Sequence, residues 1–153
     1  MFPFNVRVYG ILVNDREEVL ISDERTENVS FTKFPGGGLE YGEGLLDALI
    51  REYKEECAFD IAILKHIYTT DFYEKSSFND SQIISIYYQV KNTSAIHIRT
   101  TTKAFDFDPQ QRDEDNKLQA FRWVHIDELT TADLTFKTDQ IAWLEFLKTI
   151  KSY

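Results

Sequence analysis

Five of the six glycines in this chain fall between positions 36 and 44, immediately before the most regular helical pattern in the sequence. No other feature limits the fold as much. Gly36, Gly37 and Gly38 let other groups approach the backbone closely, so whatever the following helix carries is set beside a bare main chain. Over residues 44–57 the apolar positions Leu45, Leu46, Leu49, Ile50, Tyr53 and Cys57 repeat at helical spacing, which predicts one amphipathic helix.

The flanking segments read as strands. Residues 4–13 and 18–22 are rich in β-branched and aromatic side chains, and Asn14-Asp15 between them predicts a hairpin. Residues 23–30 are polar and predict a loop, and 31–34 lead into Pro35 and the glycines. Residues 61–73 and 82–90 predict two long strands, 96–102 a further one and 119–126 a late one. Residues 138–151 predict a docking helix, with Ile141, Leu144, Leu147 and Ile150 on one side and Trp143 and Phe146 widening it. Between 105 and 117 lies a loop carrying Asp106, Asp108, Asp113, Glu114 and Asp115, longer than most connections and therefore a functional candidate. Strands mixed with two helices predict an α/β fold, a mixed sheet packed between helices, and one domain over residues 1–153.

Charge narrows the function. With 17 Lys plus Arg against 26 Asp plus Glu, the formal balance is -9. A field of that sign repels nucleic-acid backbones and anionic membranes, so a phosphate ligand needs local basic residues or a bridging cation. Cys57 is the single cysteine, which removes intrachain disulfides and cysteine zinc sites and suits a reducing cytoplasm. The N-terminal residues do not have the layout of a cleaved signal, and no apolar stretch reaches the length of a membrane span.

One stretch departs from what helix stability favours. Glu52, Glu55 and Glu56 lie three and four residues apart, so their carboxylates share a side of the helix bordering the apolar stripe, near the C-terminal end where the macrodipole disfavours acids. A solvated acidic face is the bland explanation. A hard divalent cation such as Mg²⁺ or Mn²⁺ is the functional one, because it prefers carboxylate and carbonyl oxygens and bridges them to substrate phosphates.

Gly37, five residues, Glu43, seven residues, then Arg51-Glu52-Tyr53-Lys54-Glu55-Glu56-Cys57-Ala58-Phe59 resembles the Nudix box, and Pro35-Gly36-Gly37-Gly38-Leu39-Glu40 is similar to the family's lead-in. The resemblance implies an α/β/α sandwich and hydrolysis of a phosphoanhydride in a nucleoside diphosphate linked to another moiety, with Mg²⁺ or Mn²⁺ as cofactor. It implies that Glu52, Glu55 and Glu56 bind metal and supply a base, that the Gly37 carbonyl is a further ligand, and that Arg51 orients the site by pairing with Glu43. A surface pair of Arg51 with Asp47 is the competing assignment. Two positions depart from the motif: Ala58 replaces its last glycine, and Tyr53 is larger and more polar than the usual aliphatic residue. The glycine position implies a left-handed helix cap, which costs alanine roughly 1 kcal/mol or more.

Outside the box, Glu114 is the chosen candidate for an extra ligand or proton acceptor from the acidic loop. Arg25 and Lys33 flank the path into the glycine turn and are candidates for substrate phosphates. Tyr41, Phe72, Tyr73, Phe78 and Trp123 are candidates for stacking on a base. His66, His97 and His125 show no ligand spacing, and serine-nucleophile, zincin and P-loop motifs do not occur. The substrate subgroup marks of the family, a proline near Glu74 or a tyrosine near Lys75 to Ser77, are not met. The expected partner is a small nucleotide-type substrate rather than duplex nucleic acid or a membrane, a homodimer being allowed. The alternative is a catalytically silent nucleotide-sensing domain on the same fold.

Overall fold

The structure, a computed structural model, describes residues 3–27, 29–111 and 117–151. In chain order these form β1 (Phe4–Leu12), β2 (Glu18–Thr26), β3 (Val29–Lys33), β4 (Gly36–Gly38), α1 (Leu45–Cys57), β5 (Ile61–Thr69), β6 (Gln82–Asn92), β7 (Thr100–Thr101), β8 (Leu118–His125) and α2 (Lys137–Lys151). The strands make two four-stranded sheets, ordered β4-β1-β6-β5 and β3-β2-β8-β7. Both are mixed, because β1 runs parallel to β6 and β7 parallel to β8 while the other pairs are antiparallel.

Alternation along the strands places the helices. Val8 and Leu12 of β1 and Leu20 of β2 pack with Leu49, Tyr53 and Cys57 of α1. Their neighbours Tyr9, Ile11, Val19 and Ile21 point the other way and pack with Trp143 and Phe146 of α2. A strand with both faces buried in this manner belongs between two covering layers. The expected α/β architecture, with mixed strands between helices, is the one observed.

The predicted hairpin does not form. The turn is real, since Asn14 Oδ1 accepts the Arg16 and Glu18 N–H groups at 2.9 and 3.0 Å. Beyond the single Val13–Val19 bridge, however, β1 and β2 separate into different sheets. Each then pairs along both of its edges, as strands buried on both faces require. The polar segment 23–30 is not a loop either, because β2 continues to Thr26 and β3 starts at Val29. Asp23 is buried there because Arg122 Nε and Nη2 donate to its two oxygens at 2.6 and 3.0 Å and Thr32 Oγ1 donates at 2.7 Å. A paired charge can be buried where a lone one cannot.

Three smaller corrections concern boundaries and faces. The strand from Ile61 stops at Thr69, after two register shifts against β6. Of residues 96–102 only Thr100–Thr101 is strand, while Ile96 and Ile98 pack against the α1 core. The buried side of α2 is centred on Asp139, Ala142, Trp143 and Phe146, with Leu144 and Ile150 turned outward. The larger rings bury more area, and Trp143 Nε1 also donates to the Leu129 carbonyl at 3.1 Å. Among the described residues no helix is long and apolar enough to cross a membrane.

Candidate active site

The box helix is anchored by an unusual pair. Tyr53 is buried against β1, and its hydroxyl donates to the Gly10 carbonyl at 3.0 Å. A Cβ on Gly10 would collide with that hydroxyl oxygen, so the glycine makes room for the larger, polar side chain. The motif departure at Tyr53 is thus compensated from another strand. At the far end Ala58 takes φ 59° and ψ 30°, left-handed, and its N–H reaches the Lys54 carbonyl at 3.2 Å. The helix ends at Cys57 despite the missing glycine.

Arg51 organises the exposed side of α1. Its Nε and Nη2 donate to the two Glu43 oxygens at 3.0 and 2.6 Å, and Nη2 donates to the Gly38 carbonyl at 3.0 Å. Its Nη1 donates to Glu52 at 3.0 Å and to Glu55 at 3.2 Å. Among the described residues Arg51 makes no ion pair with Asp47. The forked contact with Glu43 fits a planar guanidinium better than a flexible surface pair would. Arg51 is held further toward its charged form, first by the Glu43 hydrogen bond, against a burial effect of opposite sign.

Glu52 lies against the glycine turn. A Cβ on Gly37 would come within 2.5 to 2.7 Å of the Glu52 carboxylate atoms, so the bare backbone and the carboxylate share a cradle that any side chain would fill. Burial, then the charge of Glu56, raises the Glu52 pKa, with Arg51 acting against them. Glu52 and Glu56 line a cavity of about 440 Å³, with Arg7, Tyr9, Glu24, Lys33, Gly37 and Lys117 on its walls. Glu55 is more exposed and faces Arg51.

Of the opposite wall, only Lys33 was legible in the sequence. Glu24 is nearly fully buried, with Lys33 Nζ 3.1 Å from one oxygen and Lys117 Nζ 2.8 Å from the other. Burial alone would raise its pKa, but these two ammonium groups and the Ser22 hydroxyl hold it down to about 2. Lys117 also lies 3.8 Å from Glu56, and Gln119 Nε2 reaches Ser22, Glu24 and Glu56. Lys33 donates further to the carbonyls of Phe34 and Gly36 at 3.3 and 3.5 Å. It therefore stands on the cavity wall, as a phosphate contact requires, with its ammonium already engaged.

Arg25 is not brought to the cavity. It is exposed, bonded to Ser30 Oγ at 2.9 Å, with its guanidinium 5.7 Å from the Phe107 ring centre. Glu114 lies outside the described residues. Of the stacking candidates only Phe78 lines the cavity, joined by Phe31 and Phe136, which the sequence did not single out. Tyr41 and Tyr73 are exposed, and Trp123 packs on the α1 core.

Among the described residues, no three acidic, histidine or cysteine side chains stand close enough to hold a metal ion in their present positions. The donor chemistry fits one nevertheless. Three carboxylates on one helix side, one of them against a glycine backbone that admits no Cβ, offer oxygen donors only, and Arg51 and Lys117 now occupy these carboxylates as cations.

A mixed α/β sandwich with a glutamate-bearing helix over a glycine turn defines a class of phosphate-handling proteins. Residues 3–145 match the family model described as NUDIX domain, and the chain belongs to that family. The m7GpppN-mRNA hydrolase of Saccharomyces cerevisiae is 30% identical over 115 residues, which are 75% of this chain but 10% of that protein. The chain thus matches about a tenth of the length of that curated relative. Among solved structures, a MutT protein from Methanosarcina mazei superposes with a TM-score of 0.71 at 14% identity, covering 99% of this chain and 98% of that one. A NUDIX hydrolase from Nitrosomonas europaea superposes at 0.69 and 19%, covering 97% and 96%. These two show the shared fold.

Proposed function

We propose that the protein is a pyrophosphohydrolase that uses Mg²⁺ or Mn²⁺ to cleave a phosphoanhydride in a nucleoside diphosphate linked to another moiety. The observation that carries this reading is the cavity in which Glu52 and Glu56, beside the Gly37 backbone, face Arg7, Lys33 and Lys117. An acidic chain meets phosphate only where local cations are gathered, and here they line the same cavity as the box glutamates. When bound, the divalent ion supplies charge neutralisation and a more acidic water. The protein's own groups do the remainder. Arg7 presents positive charge to phosphate oxygens, Lys33 holds Glu24 in the opposite wall, Arg51 fixes the orientation of Glu52 and Glu43, and Glu52 takes the proton of the attacking water. Gly37 and Glu55 complete the set that would hold the ion with Glu52 and Glu56. The lone cysteine, buried in the α1 core, accords with a reducing cytoplasm.

The test is product release from a panel of nucleoside triphosphates, nucleotide sugars, dinucleoside polyphosphates and a cap analogue, with Mg²⁺ and with chelator. Metal-dependent cleavage of at least one anhydride, with both products identified, is the expected result. Nucleotide binding with no turnover across the panel would leave the silent sensing domain as the correct reading.

A further inference from the structure

A second cavity, of about 690 Å³, meets the first at Glu56 and Lys117, which line both. Ile98, Ala120 and Phe121 give it an apolar floor. The segment on one side is anchored by Ile96 and Ile98, which pack against the α1 core, while His97 and Arg99 line the cavity and are exposed. Gln110 and Gln111 face it from the long loop before β8. Their backbone N–H groups donate to Asp108, at Oδ1 over 3.0 Å and at the carbonyl over 3.1 Å, so main-chain donors rather than the two amide side chains hold this turn.

The charges around this cavity are already matched. Arg99 Nη1 donates to the Asp106 carbonyl at 2.7 Å with Nη2 3.8 Å from the Asp106 carboxylate, and Lys117 stands between Glu24 and Glu56. An anionic ligand would meet cations that are engaged and, in Glu56, a carboxylate of its own sign. A side-chain amide both donates and accepts, as a hydroxyl does, so Gln110 and Gln111 suit a group that offers hydroxyls rather than charge. A sugar ring carries hydroxyls around its edge and C–H groups on its faces, which match the amides and the apolar floor together.

We propose that the second cavity holds a sugar, so that the substrate class is a nucleoside diphosphate linked to a hexose. This rests on the nucleotide-hydrolase reading and names the moiety which that reading leaves open. The shared glutamate carries the placement, because a ligand reaching from one cavity into the other passes the box carboxylates, where the diphosphate belongs.

The experiment is equilibrium binding without metal, by calorimetry or ligand-observed NMR, of UDP-glucose, GDP-mannose and ADP-glucose, each beside its own nucleoside diphosphate and triphosphate. The wild-type protein should bind at least one nucleotide sugar about tenfold more tightly than the matching diphosphate, with no such gain for the triphosphate. Replacing both Gln110→Ala and Gln111→Ala, exposed side chains that the turn does not need, should reduce that gain at least threefold and leave diphosphate binding within twofold. His97→Ala should act in the same sense. If no nucleotide sugar binds better than its diphosphate, if the triphosphate gains as much as the sugar, or if both variants keep the wild-type gain, the proposal is overturned. Absence of turnover on the anhydride panel would instead count against the hydrolase reading, since these binding measurements require no catalysis.

Discussion

On the α1 side of the site, where Glu52 and Glu56 line the cavity, Arg51 sits among Glu40, Glu43, Glu52 and Glu55, so negative charge is in excess and partly wet. On the β2–β3 wall the balance is reversed, because Lys33 and Lys117 close on Glu24, whose side chain is 1% exposed. The first wall is left needing a cation, and the second keeps its carboxylate paired and buried. Charge excess marks where a ligand must contribute, while charge balance marks what holds the ligand's surroundings in place. Substitutions on the two walls should therefore fail differently, one set in turnover and the other in stability.

The largest effect is expected from Glu56→Gln. It removes a metal-ligand candidate while relieving repulsion with Glu52, so metal-dependent turnover should fall by roughly 10²-fold or more with the unfolding midpoint held or raised. Steady-state assays at saturating Mg²⁺ alongside denaturant titration check both halves. Turnover near wild type would remove Glu56 from the machinery and collapse the contrast.

Lys33→Met should act in the opposite sense. The ammonium is buried, and deleting it leaves Glu24 with Lys117 as its ion-pair partner on this wall. Breaking a buried pair on one side costs about 3–5 kcal/mol, to be discounted here because Lys117 remains. A loss of about 2–3 kcal/mol in urea unfolding is expected, and the double change Glu24→Gln with Lys33→Met should recover much of it. If the single variant is as stable as wild type, the second wall is not a structural network.

The α1 wall is legible in the sequence because its carboxylates sit on one helix, where spacing fixes which side chains share a side. Glu24, Lys33 and Asp139 come from three separate elements and Lys117 from the residue before a fourth, and only the pairing of Ser22 with Lys33 across β2 and β3 brings Lys33 diagonal to Glu24. Residues 23–30 read as a loop for the same reason, since Asp23 is polar in sequence but neutralised by Arg122 in space. The turn at Asn14 is legible, whereas the divergence of β1 and β2 is not, because it depends on which strands claim their free edges. Tyr53 reads as a weakness of the motif because the residue that supplies its space, Gly10, is distant in the chain.

Acid and base should separate the walls again. Glu24 has its pKa lowered from 4.5 to about 2, so its contribution is present above about pH 4.5 and is lost as pH falls toward 2. Asp139 is the reverse case. Burial, only partly countered by the Tyr87 hydroxyl and by Lys33 and Arg7, raises it from 3.8 to about 7, with Glu24 acting in the same direction as burial. The folded state then binds the proton more tightly than the unfolded chain, and stability falls as pH rises from about 4 to 7. Asp139→Asn, neutral at every pH, should raise the thermal midpoint at pH 8 by several degrees and leave it nearly unchanged at pH 4. An equal shift at both values would show that the carboxylate is ionised without penalty.

The smallest effect belongs to the end of the helix that carries the box. Ala58 is exposed and left-handed, a conformation that places its Cβ against the following carbonyl at a cost of roughly 1–2 kcal/mol. Ala58→Gly removes that strain but frees the unfolded chain, which returns about 0.4–1 kcal/mol of the gain. A net stabilisation of about 0.5–1 kcal/mol is expected from these two effects, measured as a shift in denaturant midpoint at constant slope. Because Ala58 follows Cys57 directly and lies two residues beyond Glu56, the same variant should leave the Mg²⁺ concentration for half-maximal turnover unchanged. A loss of stability would mean that in solution the helix runs on through Ala58, where glycine costs about 1 kcal/mol relative to alanine, and that Glu56 stands a full turn from the helix end.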